Sequence, residues 1–392
     1  MEVIVRFSNV LLLSVFWYLI TRNFNAEYVH TFVLLTSISS ILAALVVSPL
    51  NQIMYRYLIK LRNPNTHLLL NYLIIITASI FLVIILRTWK NDILSDISMY
   101  TMIIFMISVN IHMNTCSILI IKKQYKNYLI RILLWYFLLG TVFFNIVAEQ
   151  NHDYVNFLLM LAHASASMYL ALDKKKKVNF RGARYYLRYL SYGIPFLIVG
   201  FATLPLAGLD KVILSQKMDE HQLVKYFFIY QFLIAPGIEI GNSVASWMVN
   251  KIRRIDTGAE KIQEFNKYVN DAKWVVLLLT LLALPYFLII LGHHYIGSSI
   301  LINEPYLITL CLCCAGLAFL SLSLGSILTA RGLMRKRILH KALIPWTYLC
   351  LISFFGQNLT EVIVIYLLVL TFDLAWTFIE LIIFRDRVRL FG

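Results

Sequence analysis

Apolar residues in this chain run in long blocks rather than in the alternating or three-and-four spacing of a water-facing fold. Twelve stretches can be marked, at 3–20, 29–50, 68–86, 97–121, 128–148, 154–172, 189–209, 226–248, 274–292, 306–330, 339–356 and 362–384. Most approach the ~20 residues that a helix rising 1.5 Å per residue needs to cross ~30 Å of hydrocarbon. Backbone polar groups in hydrocarbon must be satisfied within their own segment, so blocks of this length predict helices. The expected fold is all-α and integral to a membrane, with about twelve transmembrane helices.

The charges orient these spans. All but six of the 35 Lys and Arg residues flank the side that holds the N-terminus, the even-numbered connections and the C-terminal tail. The six on the opposite side are Arg22, Arg87, Lys90, Lys211, Lys217 and Lys225. Basic loops resist translocation, so the rich side is expected to be cytoplasmic, with both termini inside, as an even number of spans requires. Sixty per cent hydrophobic residues and a mean hydropathy of +0.75 exceed the roughly 45–50% apolar content of a soluble domain and exclude one. The net charge of +15 sits in short membrane-flanking loops, where topology and anionic headgroups account for it, so no nucleic-acid partner is expected.

Other function classes fall away. The first stretch lacks a small-residue cleavage site and runs into Thr21, Arg22 and Asn23, so it is read as a retained span. The five cysteines, Cys116, Cys311, Cys313, Cys314 and Cys350, all lie inside apolar stretches and are read as packing residues. Such an odd, intramembrane set is neither a disulfide framework nor a zinc site. No Walker loop, dinucleotide fingerprint or nucleophile elbow is present, so no cofactor, metal or enzymatic activity is expected. The longest connections, 173–188 and 249–273, leave no room for a soluble catalytic domain.

Asp173 is followed by four consecutive lysines, and this run separates six spans from six. The expected organisation is an N-terminal six-helix lobe at 1–172, a basic cytoplasmic linker at 173–188 and a C-terminal lobe at 189–392, the halves related by a pseudo-two-fold repeat. In transporters, duplication of this kind places the substrate path between the halves.

Two motifs carry a resemblance. Asn25-Ala26-Glu27-Tyr28 precedes an apolar span that ends in Ser48-Pro49-Leu50-Asn51-Gln52-Ile53-Met54-Tyr55-Arg56. Tyr192-Gly193-Ile194-Pro195 is followed by Asp210-Lys211-Val212-Ile213-Leu214 and then Val224-Lys225-Tyr226. These resemble the second and seventh spans of polysaccharide exporters and flippases in the multidrug/oligosaccharidyl-lipid/polysaccharide (MOP) superfamily, with Lys225 standing where glycine is usual. Length and span count are most similar to the O-antigen flippase subgroup. That resemblance implies a short oligosaccharide on an undecaprenyl pyrophosphate carrier, moved from the cytoplasmic to the periplasmic leaflet of the bacterial inner membrane. It also implies membrane lipid, a polysaccharide polymerase and a chain-length regulator as partners. The cargo's hydroxyls and pyrophosphate cannot cross hydrocarbon unaided, since each unsatisfied polar group costs several kcal/mol.

Candidate site residues follow from chemistry. Glu239, just after Pro236-Gly237, and Asp373 are carboxyls near the centres of their spans, where an ionisable group is costly and suits a coupling proton or cation. For the pyrophosphate, guanidinium is the natural partner because it donates in a bidentate fork. No arginine lies at mid-span, so the candidates are Arg6 and Arg56 at the cytoplasmic mouth. Asp210 and Lys211 carry the family motif and suit an interfacial pair or a gate. His163, Asn110 and Asn114 are expected to make interhelical polar contacts. Two alternatives to the flippase are a drug/cation antiporter of the same superfamily and an O-antigen polymerase, an integral membrane glycosyltransferase. The first is disfavoured by the polysaccharide-type seventh span. The second is disfavoured by an outward connection, about 210–225, too short to hold glycan.

Overall fold

The computed structural model describes residues 26–57, 64–89, 98–147, 153–172, 194–235, 305–330 and 334–390, together with position 190 and scattered positions within 9–20 and 237–242. Every regular element among them is helical. Six helices are long and apolar enough to span a membrane, at Val29–Met54, Pro64–Thr88, Met99–Ile121, Tyr125–Phe144, Leu197–Leu214 and Leu359–Glu380. Three shorter apolar helices, Val155–Ala171, Tyr306–Leu322 and Ala342–Phe355, coincide with three further stretches marked by hydropathy. The stretch at 274–292 lies outside the described residues, as does most of that at 3–20.

Two compact units are present, residues 23–216 and residues 217–392 together with 1–22. The linker expected at 173–188 lies outside the described residues.

In the unit of residues 23–216, α1 runs through Ala26–Leu42, a π-helical turn Ala43–Val47 and Ser48–Tyr57. It is followed by α2 (Pro64–Trp89), α3 (Met99–Ile121), α4 (Tyr125–Val147) and α5 (Asp153–Ala171). α3 starts where the Ser98 hydroxyl accepts the Thr101 amide at 3.2 Å, an N-cap that satisfies an orphan donor. It ends at Lys123, whose φ of 58° turns the chain into α4. Lys122 Nζ donates to the Ala171 carbonyl at 2.6 Å, placing a cation at the C-terminus of α5. The last helix, α6, comprises Ile194–Leu204, a π turn Pro205–Leu209 and Asp210–Leu214. It packs on α1 through glycines: a Cβ on Gly200 would overlap the Ala44 carbonyl, and one on Gly208 the Ser37 carbonyl. Without a hydrophobic drive between helices in lipid, small residues that let backbones approach are what holds such a pair. Val47, Met54, Leu68, Tyr72, Ile111 and Ala164 contribute to the core between α1, α2, α3 and α5. Leu133, Leu134, Phe137 and Phe144 of α4 are exposed, a face suited to lipid rather than water.

In the second unit, α7 covers Glu220–Ile229 and a π turn Tyr230–Ile234, capped by the Asp219 carboxylate accepting the Gln222 amide at 2.7 Å. Trp17 meets Phe227 edge-on at 4.4 Å. α8 (Pro305–Ala330), α9 (Met334–Phe355) and α10 (Leu359–Leu390) follow, α8 lying closely along α10 as α3 does along α5. Tyr226 and Tyr348 share a hydroxyl hydrogen bond of 2.9 Å, and Tyr348 meets Tyr366 at 5.1 Å, joining α7, α9 and α10.

Candidate functional site

The sequence-predicted site residues scatter. Arg6 and Glu239 lie outside the described residues, and Arg56 is in the last segment of α1 with its side chain outside them. Asp210 and Lys211 are both buried at the start of the last segment of α6, and Lys211 Nζ lies 2.9 Å from each Asp210 carboxylate oxygen. Neighbours on one helical turn rarely face each other. Here the flexible lysine stem folds back so that the two charges neutralise one another inside the unit.

Asp373 sits in a built site between α8, α9 and α10. Ser321 of α8 donates its hydroxyl to Asp373 Oδ2. His340 of α9 brings Nε2 to 3.1 Å from Oδ1. The imidazole is buried, only 5% exposed, while the carboxylate keeps 19%, so the pair is closed on the histidine side and partly open on the acid side. Trp376, one turn along α10, lays its ring 5.4 Å from that of His340 and donates Nε1–H to Glu380 Oε1 at 3.1 Å. Sequence reasoning missed His340 because its stretch was marked from 339, whereas the helix starts at Met334.

A second polar cluster lies between α3, α4 and α5. Arg131 of α4 is buried at 3% exposure and donates from one Nη to the His163 carbonyl and to Ser167 Oγ of α5. Ser167 itself donates to the His163 carbonyl at 2.8 Å. His163 Nε2 is 3.3 Å from His112 Nδ1 of α3, and His112 Nε2 is 3.4 Å from Cys116 Sγ. Trp135 stacks on His112 at 4.7 Å and lies 4.8 Å from the His163 ring, walling the cluster on the α4 side. Arg131 has no carboxylate partner among the described residues, and its Nε is buried without a hydrogen-bond acceptor there. A fixed positive charge is thus held inside α4 without a counter-charge among the described residues.

Nearby, Asn114 donates to Asn51 of α1 at 2.7 Å, and Asn51 to Ser117 at 2.9 Å. Tyr72 of α2 bonds Thr115 at 3.1 Å. Asn114 and His163 therefore contact other helices, whereas Asn110 donates to the Met106 carbonyl of its own helix at 2.8 Å. Hydropathy conceals Arg131: it falls three residues inside the stretch marked from 128, where a basic residue reads as a flank. The helix starts earlier, at Tyr125, which puts Arg131 about 9 Å along it.

No family model matches the sequence, and no curated protein does. Solved structures do. A MATE transporter crystallised in complex with MaL6 superposes with a TM-score of 0.62 at 11% identity, over 99% of this chain and 95% of that one. A multidrug resistance MATE family transporter of the MOP superfamily, in an outward-facing conformation, gives 0.59 at 11% identity, over 99% and 96%. A MOP superfamily transporter from Pyrococcus furiosus Vc1, described as having a binding pocket of reverse polarity that suggests a different function, gives 0.59 at 12%, over 99% and 96%. The chain therefore has the all-α, two-half membrane fold of MOP superfamily transporters.

Proposed function

We propose that the chain is a transporter that works by alternating access and flips an undecaprenyl-pyrophosphate-linked oligosaccharide from the cytoplasmic to the periplasmic leaflet. The observation that carries this reading is the buried guanidinium of Arg131, which lacks a carboxylate partner among the described residues. An uncompensated cation inside a unit costs several kcal/mol. An anionic cargo headgroup approaching from the side flanked by Lys122, Lys123 and Lys126 would offset that cost, and a cationic drug would add to it. The seventh-span motif, Gly193 and Pro195 followed by Asp210-Lys211, supports the same cargo class. Among the structural neighbours, the reverse polarity of the binding pocket in the Pyrococcus furiosus transporter is described as suggesting a different function, which leaves room for a cargo other than a drug on this fold.

The drug/cation antiporter remains the second reading, favoured by the multidrug transporter among the structural neighbours and by the Asp373 carboxylate in the second unit. In either case the protein sits in the bacterial inner membrane with both termini cytoplasmic. In the first, it works beside a polysaccharide polymerase and a chain-length regulator. The test is a deletion strain. The flippase reading expects lipid-linked repeat units on the cytoplasmic face and no surface polysaccharide. Intact polysaccharide with heightened drug susceptibility indicates the antiporter, and unpolymerised units reaching the periplasm indicate a polymerase.

A further inference from the structure

The two polar clusters occupy the same place in a repeated arrangement. Arg131 lies six residues after Tyr125, the first residue of α4, and His340 lies six residues after Met334, the first of α9. Their partners match as well. Ser167 lies fourteen residues after Asp153, which opens α5, and Asp373 fourteen after Leu359, which opens α10. In each unit the helix before the pair, α3 or α8, packs closely along the helix after it, α5 or α10. It also sends a polar side chain to the cluster, His112 toward His163 in one and Ser321 toward Asp373 in the other. A nitrogen-bearing side chain on α4 thus faces an oxygen on α5, and one on α9 faces an oxygen on α10.

The chemistry of the two copies differs in one respect. A guanidinium is protonated at every physiological pH, so Arg131 facing the neutral Ser167 is a permanent charge. Imidazole is the side chain whose charge changes between roughly pH 5 and 8. His340 Nε2 lies 3.1 Å from Asp373 Oδ1, an ion-pair contact without hydrogen-bond geometry. Both ring nitrogens are buried, and neither makes a hydrogen bond among the described residues.

We propose that His340, paired with Asp373, is a proton-exchanging group of this transporter, at the position a permanent charge fills in the other unit. Proton uptake by the ring converts a neutral imidazole beside a carboxylate into an imidazolium–carboxylate pair, and release reverses it. No other atom changes bonding. Ser321 donates its hydroxyl to Asp373 Oδ2 and the imidazole lies against Oδ1, so a metal cation would have to displace one of them.

Among the described residues, the ionisable groups facing His340 from the helices packed on α9 are few. From α10 come Asp373 and, one turn beyond Trp376, Glu380. α8 contains no Asp, Glu, Lys, Arg or His, and its titratable side chains, Tyr306, Cys311, Cys313 and Cys314, lie two or more turns before Ser321. α9 itself carries Arg335, Lys336, Arg337 and Lys341 near its start. The inference deepens the coupling role of Asp373 in the proposed transport cycle, but the proton site can be tested without any cargo.

Trp376 supplies the reporter, because an imidazolium near an indole quenches its fluorescence and a neutral imidazole does so far less. The purified full chain in detergent is titrated from pH 4.5 to 8.5 in potassium chloride, and the Trp376→Phe trace is subtracted to isolate one of seven tryptophans. The expected result is a single one-proton step in the wild type that is lost in His340→Gln. Asp373→Asn, which removes the neighbouring negative charge but keeps the volume, displaces the step from its wild-type position. This second variant decides the matter should His340→Gln fail to fold. Replacing potassium by sodium at fixed pH leaves the signal unchanged. A wild-type step surviving in His340→Gln, no Trp376-dependent step at all, a step indifferent to Asp373→Asn, or a sodium-induced change would each overturn the assignment. Failure of the flippase reading would leave all four results as they are.

Discussion

Replacing Arg131 by methionine separates a structural arginine from one that serves cargo, because the two readings differ in how much stability the substitution removes. The substitution removes two charge-assisted donations, to the His163 carbonyl and to Ser167 Oγ, each worth about 1.5–3 kcal/mol. It also removes the desolvation penalty of a buried ion, several kcal/mol in its own right. Neither acceptor is orphaned, since Ser167 Oγ still donates to the His163 carbonyl at 2.8 Å. The terms nearly cancel, so Arg131→Met is expected to shift unfolding stability by no more than about 2 kcal/mol in either direction. Export should suffer far more. Losing a charge-assisted contact to phosphate, at about 1.5–3 kcal/mol, weakens cargo binding roughly 10- to 100-fold. Surface polysaccharide at matched membrane abundance measures export, and denaturant unfolding in mild detergent measures stability. A loss of more than about 3 kcal/mol with export falling in proportion would refute the reasoning and make Arg131 a packing residue. Export at the wild-type level would do the same.

Four further outcomes are expected. Alkaline phosphatase fused after Lys175 should be inactive and fused near Asn303 active; the reverse pattern removes the cytoplasmic assignment of both termini. Arg56→Ala should impair export more than Arg56→Lys, because lysine keeps the charge and loses only the planar fork; equal export from all three chains reduces Arg56 to a topological flank. Glu239→Gln should abolish export and its dependence on the ion gradient in a folded protein, and Asp373→Asn should do so less severely; normal export from both across the pH range makes these carboxyls structural. Gly200→Ala should destabilise by about 1–3 kcal/mol, because the new Cβ meets the Ala44 backbone rather than a side chain able to rotate away; an unchanged unfolding midpoint would show that α6 and α1 have room to separate.

How much of this was legible in the sequence depends on what kind of signal each feature leaves. Apolar blocks are long and their chemistry is uniform, so spans such as 97–121 and 362–384 coincide with α3 and with the membrane-spanning part of α10. Helix ends leave a weaker trace. Polar and basic residues continue a helix past its apolar block, as Tyr125-Lys126-Asn127 do before α4's block and Met334-Arg335-Lys336-Arg337 before that of α9. A reading that stops at the edge of hydrophobicity therefore begins both helices late and assigns Arg131 and His340 to the mouth of the membrane. Asp373 was legible because a carboxyl near the centre of an apolar block needs no boundary to stand out. Its partners Ser321 and His340 were not, since one resembles any small residue in a span and the other sits beside a basic run. The close approach of α6 to α1 was hidden for a different reason: Gly200 and Gly208 are ordinary in membrane helices, and only the carbonyls of Ala44 and Ser37 opposite them make a Cβ impossible. The register of the two clusters is the feature furthest from the sequence. It emerges only when Arg131 is counted from Tyr125, where α4 begins, and His340 from Met334, the first described residue of α9; counting from the apolar edges separates them by two positions. Two costly polar groups at one register of a duplicated helix are hard to attribute to packing, which either unit would satisfy better with a leucine. With one side chain always charged and the other able to change charge, the pair suits the proposed cycle, in which one unit holds an anionic headgroup and the other exchanges a proton.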